Sequence, residues 1–250
     1  MKRTGIDWIC LPICALLSCT ATHSVRTVGQ GNGAVETSFG GPVFRNLGGP
    51  IPAPNLFIGG RYGVRDDLDL VLHYNLTSPI VPGIGLDLIA GAQFAPIQPG
   101  VGGQTAQGEV GWSLSTSGRI HLLTDFVNGA LAFPELALAG GYRYRWFNPY
   151  AGVSFALHFF RPYDESAPLF LSPFVGADFI LTESISLGAR ATFLDVTHNM
   201  YASQIEWIHL VDAPSKRKKY GMFGITLGFS YDIIRRPKAS PSAPPPGGAT

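Results

Sequence analysis

From Phe223 to Tyr231, large apolar residues alternate with small or polar ones. Phe223, Ile225, Leu227, Phe229 and Tyr231 fall on one face of an extended chain, and Gly224, Thr226, Gly228 and Ser230 on the other. A period of two means a β-strand with one apolar side. The rhythm recurs along most of the chain, in segments near the roughly 9–11 residues that cross a bilayer as a tilted strand. Where a soluble sandwich would carry a polar face for water, these segments carry glycine, serine and alanine. Small residues suit the crowded inside of a narrow barrel.

Composition agrees. Charged residues are 14% and aromatics 12% of the 250, and 31 glycines and 20 prolines favour short strands and turns over helical packing. A net charge of +1 gives no reason to expect nucleic acid as a partner. All three cysteines, Cys10, Cys14 and Cys19, lie in the first nineteen residues. The remaining chain therefore offers no disulfide framework and no thiolate metal site. No cofactor or metal is expected.

The alternation predicts an all-β, antiparallel, up-and-down transmembrane barrel of ten strands, with eight and twelve as the neighbouring even counts. The strands fall near Ala34–Phe44, Asn55–Val64, Leu68–Leu76, Ile84–Ala95, Gln107–Phe126, Leu136–Trp146, Tyr150–Phe160, Leu169–Leu181, Ile185–Val196 and Tyr220–Ile233. On the first, Val35, Thr37, Phe39 and Val43 share a face. The fifth is read as one strand, because Val110, Trp112, Leu114, Ile120, Leu122 and Phe126 keep one parity across Ser117-Gly118. A count of connections agrees. Short turns at Arg65–Asp67, Phe147–Pro149 and Thr182–Ser184 share the periplasmic end only if an even number of strands separates them. Tyr144, Trp146, Tyr150 and Tyr231 are expected near that end, and Phe126, Phe159 and Phe160 near the outer one, as two aromatic bands.

The same parity turns ionisable residues inward. Arg61, Arg119, Arg143, Arg145 and Arg190 are set against Glu36, Asp69, Asp87, Glu109, Asp125, Asp178 and Asp232. Buried charges persist only when paired and hydrogen-bonded, so a cross-braced lumen is expected. His73, His121 and His158 point inward towards the outer end, and His198 follows the ninth strand. Imidazole both titrates and binds metals. However, members on alternate strands stand roughly 10 Å apart at the usual strand spacing, too far for one ion. Polar filling is the expected role of that cluster.

The first eighteen residues, with Lys2 and Arg3 before the apolar run Trp8–Leu17, read as a secretory signal. Leu16-Leu17-Ser18-Cys19 resembles the lipobox of bacterial lipoproteins. That resemblance implies that Cys19 becomes the acylated N-terminus, with palmitate among its chains. Cleavage after Ala21 is the alternative. Thr20 in place of an aspartate implies an outer-membrane destination on the same resemblance. Residues 19–32 then form a polar spacer, 33–234 the barrel and 235–250 a disordered Pro-rich periplasmic tail. Thr226-x-Gly228-x-x-Tyr231-x-Ile233 looks like the C-terminal signal read by the outer-membrane assembly machinery, although Arg235–Thr250 follow it here.

The chain as a whole resembles bacterial outer-membrane β-barrel proteins with a lipoprotein-type signal. The resemblance implies an outer-membrane location with both termini periplasmic and the N-terminus lipid-anchored. It also implies outer-membrane lipid, lipopolysaccharide and the assembly machinery as partners. Lys216-Arg217-Lys218-Lys219 would meet anionic headgroups. Such barrels include pores, enzymes and purely structural members, so the fold does not choose among them. The expected function is a structural or surface-interaction role with a salt-bridged, closed lumen. A narrow small-solute channel and a rim-located hydrolase stay open as alternatives. The chain after the signal holds no H-E-x-x-H, G-x-S-x-G or Walker sequence, so an enzyme is not the expected reading.

Overall fold

A computed structural model describes residues 25–46, 49–52, 54–80, 86–99, 110–124, 130–157, 169–182, 184–199, 208–213 and 218–233. Within them the alternation becomes twelve strands: β1 Gly33–Asn46, β2 Gly49–Pro52, β3 Asn55–Arg65, β4 Leu68–Asn75, β5 Leu86–Ile97, β6 Val110–Thr124, β7 Ala130–Tyr144, β8 Phe147–Leu157, β9 Leu169–Ile180, β10 Ile185–Asn199, β11 His209–Ala213 and β12 Lys218–Ile233. From β3 to β10 each strand pairs antiparallel with its sequence neighbours. β10 then pairs with β12, β12 with β1, and β1 with β3. The ring closes with ten staves and keeps no open edge among them. β2 folds back on the far end of β1, and β11 lies against the start of β12. Both lengthen the wall on one side and stand outside the ring.

Gly33 faces both Ile233 and Tyr62 in register, so the first and last staves finish at the same end of the barrel. That end carries the tight turns at Asp66–Asp67 and Arg145–Trp146. β6 runs unbroken through Gly118, which stands opposite Ala92 on one side and Leu136 on the other.

Four expectations are corrected. The turn between the sixth and seventh staves is Arg145–Trp146, with Tyr144 facing Phe147, so Phe147–Pro149 already belongs to β8. β7 starts at Ala130 and not Leu136. Pro134 suggests a boundary because it cannot donate to a ladder, yet it stands paired with Ile120 inside the strand. Val43 is buried despite sharing parity with Val35 and Phe39. By Val43 the register with β12 has ended, Ile208 donates its N–H to the Val43 carbonyl, and on the other side β2 continues the register of β3. Tyr150 is buried and packs against Phe174 inside the barrel, so it does not belong to the aromatic band.

The outward faces are apolar along the staves. Leu70 and Leu227 are 51% and 56% exposed, and Val35, Leu72, Ile120, Leu136, Val175 and Phe229 repeat the pattern around the ring. Tyr62, Trp112, Tyr142, Tyr144, Trp146 and Tyr231 are exposed near the short-turn end. Trp112 and Tyr142 meet edge to face at 5.1 Å. An apolar surface of this extent is one that a bilayer, and not water, would cover.

Candidate functional site

Residues 25–32, ahead of β1, do not hang outside as a spacer. Val25, Thr27, Val28 and Gly29 are buried. Val25 packs with Ala139, Tyr150 and Phe174, which point inward from β7, β8 and β9. On the opposite wall the Val28 N–H reaches both carboxylate oxygens of Asp69 on β4, at 2.9 and 3.2 Å. Arg26 pairs with Asp232 on β12 at 3.2 Å, and its carbonyl accepts from Arg61 on β3 and Gln93 on β5 at 2.7 and 3.1 Å. Residues 25–32 therefore lie across the lumen at its short-turn end, bonded or packed to β3, β4, β5, β7, β8, β9 and β12.

Local backbone chemistry lets the segment turn in. Gly29 and Gly31 have φ of 82° and 75°, the left-handed region that glycine enters at no steric cost. Gly31 and Asn32 exchange backbone hydrogen bonds with Gly63 at 2.8 and 2.9 Å. Any Cβ at Gly63 would overlap the Gly29 carbonyl oxygen, so β3 carries glycine where the segment crosses it. At the rim, Gln98 Oε1 accepts from the Thr27 N–H at 2.9 Å, and its amide nitrogen donates to Thr27 Oγ1 at 2.7 Å.

Above the segment lies a buried ionic cluster. Arg61 donates Nε to Glu36 at 2.7 Å and Nη1 to Asp69 at 3.3 Å. The second oxygen of Glu36 stands 3.0 Å from His73 Nε2. One guanidinium thus joins three staves and the crossing segment, and its fork satisfies two carboxylates and a carbonyl. Farther from the short turns, His121 Nε2 lies 2.8 Å from Glu135 and the ring stacks on Phe133 at 4.5 Å. Asn75 donates to Asp87 at 2.9 Å.

The residues singled out from sequence separate as follows. Arg61, Arg119, Arg143, Arg190, Glu36, Asp69, Asp87 and Asp232 are buried. Arg119 faces Glu135 across the β6–β7 register, and Arg190 lies over the Phe174 ring at 5.4 Å. Arg143 Nε donates to the Arg145 carbonyl at 3.4 Å. Asp178 is half-buried, in register with Asn148 and Gly188. Arg145 is corrected: it occupies the tight turn with φ 52°, exposed, its guanidinium 5.9 Å from the Tyr144 ring centroid. Glu109, Asp125, His158 and Cys19 lie outside the described residues, as does the side chain of His198. His73 and His121 answer to different carboxylates, Glu36 and Glu135, and do not share a centre. Among the described residues no group of three His, Cys, Asp or Glu is arranged to hold a metal.

Sequence reasoning missed Arg26, Thr27, Gln93, Gln98 and Glu135. Glu135 precedes the expected start of its strand by one residue and has the inward parity. The others belong to, or answer, a segment with no periodicity. One signal was present: inward carboxylates outnumber inward arginines, and Arg26 with the Val28 N–H supplies part of the difference.

The chain matches no protein-family model and no curated protein. Solved structures with a similar barrel include the N-terminal β-barrel domain of OprF from Pseudomonas aeruginosa, at 14% identity, 82% of this chain, 99% of that chain and TM-score 0.32. The outer membrane protein OprG from Pseudomonas aeruginosa is 12% identical over 83% of this chain and 98% of its own, with TM-score 0.30. OccAB3 of Acinetobacter baumannii is 10% identical over 79% of this chain, which spans 59% of its length, with TM-score 0.29. These likenesses carry no residue correspondence and no activity.

Proposed function

We propose that this protein is a bacterial outer-membrane barrel with a closed lumen, serving a structural or surface-interaction role. The observation that carries the reading is the filled interior: residues 25–32 across the short-turn end and the Arg61–Glu36–Asp69 cluster above them. The apolar belt and the aromatic residues near the short turns support a bilayer as the surroundings. In this reading the short-turn end faces the periplasm, with both termini. Cys19 carries the lipid anchor, palmitate included. It precedes Val25 by six residues, a reach of about 20 Å in extended chain. Tyr150, which Val25 touches, is four residues from Trp146 in the turn, about 13 Å along a strand. An acylated Cys19 therefore reaches the periplasmic leaflet while residues 25–32 stay docked. The surrounding partners are outer-membrane lipid and lipopolysaccharide, and the assembly machinery that inserts the barrel.

Planar-bilayer recording of the purified full chain tests the closed lumen. Membranes that accept the protein should stay electrically silent, and a steady conductance would overturn the reading.

A further inference from the structure

We propose that a groove on the lipid-facing wall of β6–β8 seats an acyl chain of the lipidated Cys19, so that the anchor lies against its own barrel. This rests on the acylation of Cys19 proposed above and goes beyond it by giving the lipid a binding site.

One outward row of the wall thins in its middle. In register it runs Ile97, Leu114, Gly140 and Ala151, from β5 to β8. The first two are large, whereas Gly140 carries no side chain and Ala151 only a methyl. Towards the short turns the next row holds Trp112 and Tyr142, paired across β6 and β7 and in edge-to-face contact. On the other side stand Leu138 and Val153. Between these rows lies an apolar groove of about 570 Å³, floored by β7 and β8, which reaches Pro149 on the short-turn side.

The packing of the wall does not ask for glycine at position 140. A Cβ there would stand 3.7 Å from the Ser113 carbonyl oxygen and 3.9 Å from Leu114 Cδ1, both ordinary contact distances. Glycine inside a strand weakens it and marks a place where something else comes close. Gly141 differs, because its Cβ would meet the Pro149 carbonyl oxygen at 2.6 Å. Gly141 thus serves the barrel, and Gly140 serves what lies outside it.

The chain that follows Cys19 holds it beside this groove. Val25 is docked on Ala139 and Tyr150, which back the groove from within: Ala139 adjoins Gly140 in β7, and Tyr150 also lines the groove. Arg61, Arg119, His121 and Phe133 are buried in the lumen beyond, which leaves the short-turn end as the way out for the chain ahead of Val25. Of the roughly 20 Å that six residues span, about 13 Å separates Tyr150 from the turn. About 7 Å remains, one or two staves of a ring that measures near 50 Å around at roughly 4.8 Å per stave. Cys19 is thereby confined to the rim over β7–β9, and a chain on it enters the bilayer beside the groove.

The tether favours this chain over free lipid. An attached chain competes at an effective concentration set by its short linker and does not diffuse away. Where lipid already surrounds an apolar wall, close van der Waals contact is the attraction that remains, and a flexible hydrocarbon in a notch maximises it.

Photo-cross-linking of the full chain in its own membrane tests the site. Cells fed a palmitate analogue with a mid-chain diazirine place the photoreactive group on Cys19. After irradiation, mass spectrometry should find that chain joined to Leu114, Gly140, Tyr142 or Ala151 of the same molecule. Gly140→Phe fills the groove from the outward face and should lose those products while keeping the acylated mass. If it does not assemble, Ala151→Leu, on the exposed side of β8, serves the same end. Products scattered around the belt, at Leu70 and Leu227 as often as at Tyr142, overturn the site. So do products of the groove with free phospholipid or with a second copy, and products that persist in the filled variants. A Cys19 without acyl mass overturns the lipid-anchor reading itself, and the site with it.

Discussion

Asp69 accepts the Val28 backbone N–H on both carboxylate oxygens while one of them also takes Arg61 Nη1 at 3.3 Å. A single side chain, 0% exposed, thus fastens the segment ahead of the barrel to the ionic cluster within it. Asp69→Ala should therefore cost stability twice, by stranding part of a buried guanidinium and by orphaning a buried N–H. Breaking a buried pair from one side costs about 3–5 kcal/mol. The temperature at which the folded band is lost on unheated-to-heated gels should fall, and an unchanged value would mean the pair is solvated.

Gly63→Val should expel the docked segment, because its Cβ occupies the place of the Gly29 carbonyl. Trypsin reports this directly. Arg26 should resist cleavage in the wild type, and the Arg26–Thr27 bond should be cut in the variant while the staves survive. Equal resistance in both would show that the close approach does not require glycine.

The two faces of β12 should respond in opposite ways. Leu227→Arg places a charge on the lipid side, at about 2–4 kcal/mol near the midplane, and should impair assembly. Thr226→Ser keeps a small hydroxyl in the lumen and should leave assembly unchanged. Matching yields of folded barrel from both would mean that the exposed apolar belt does not face lipid.

His121→Ala removes a hydrogen bond to Glu135 and a ring stacked on Phe133. Loss of one buried partner costs about 1–3 kcal/mol. Thermal unfolding of the variant should shift downward, with membrane insertion retained, since no outward residue is altered.

Mass spectrometry of the mature N-terminus should find an acylated Cys19, and Cys19→Ala should lose that mass. An unmodified terminus at Thr22 would instead mark cleavage after Ala21.

The staves were legible because a period of two carries two facts at once, that the chain is extended and which side meets lipid. Ile120 and Leu227 share the apolar parity of their strands and are exposed. Parity fails where pairing changes partners, as at Val43, and it says nothing at a turn, as at Arg145. Residues 25–32 have no period at all. Their glycines and polar residues read as a linker, since nothing local distinguishes a segment solvated by water from one solvated by a barrel wall. Seven inward carboxylates against five arginines read as a cross-braced lumen, whereas Asp69 and Asp232 also take the Val28 N–H and Arg26 of that segment.

The Arg26–Asp232 pair also bears on the order of events in biogenesis. The two residues are 206 positions apart, one ahead of the first stave and the other at the end of the last. Contacts so distant in sequence form late, because the chain between them must be arranged first. Residues 25–32 precede every stave and find most of their polar partners on β3, β4 and β5, yet the Arg26–Asp232 pair closes only after β12 has arrived beside β1. That one pair therefore ties the first described residues to the last stave: an intermediate without its final strand leaves Arg26 without Asp232, and the segment ahead of β1 is fully secured only when the ring has closed.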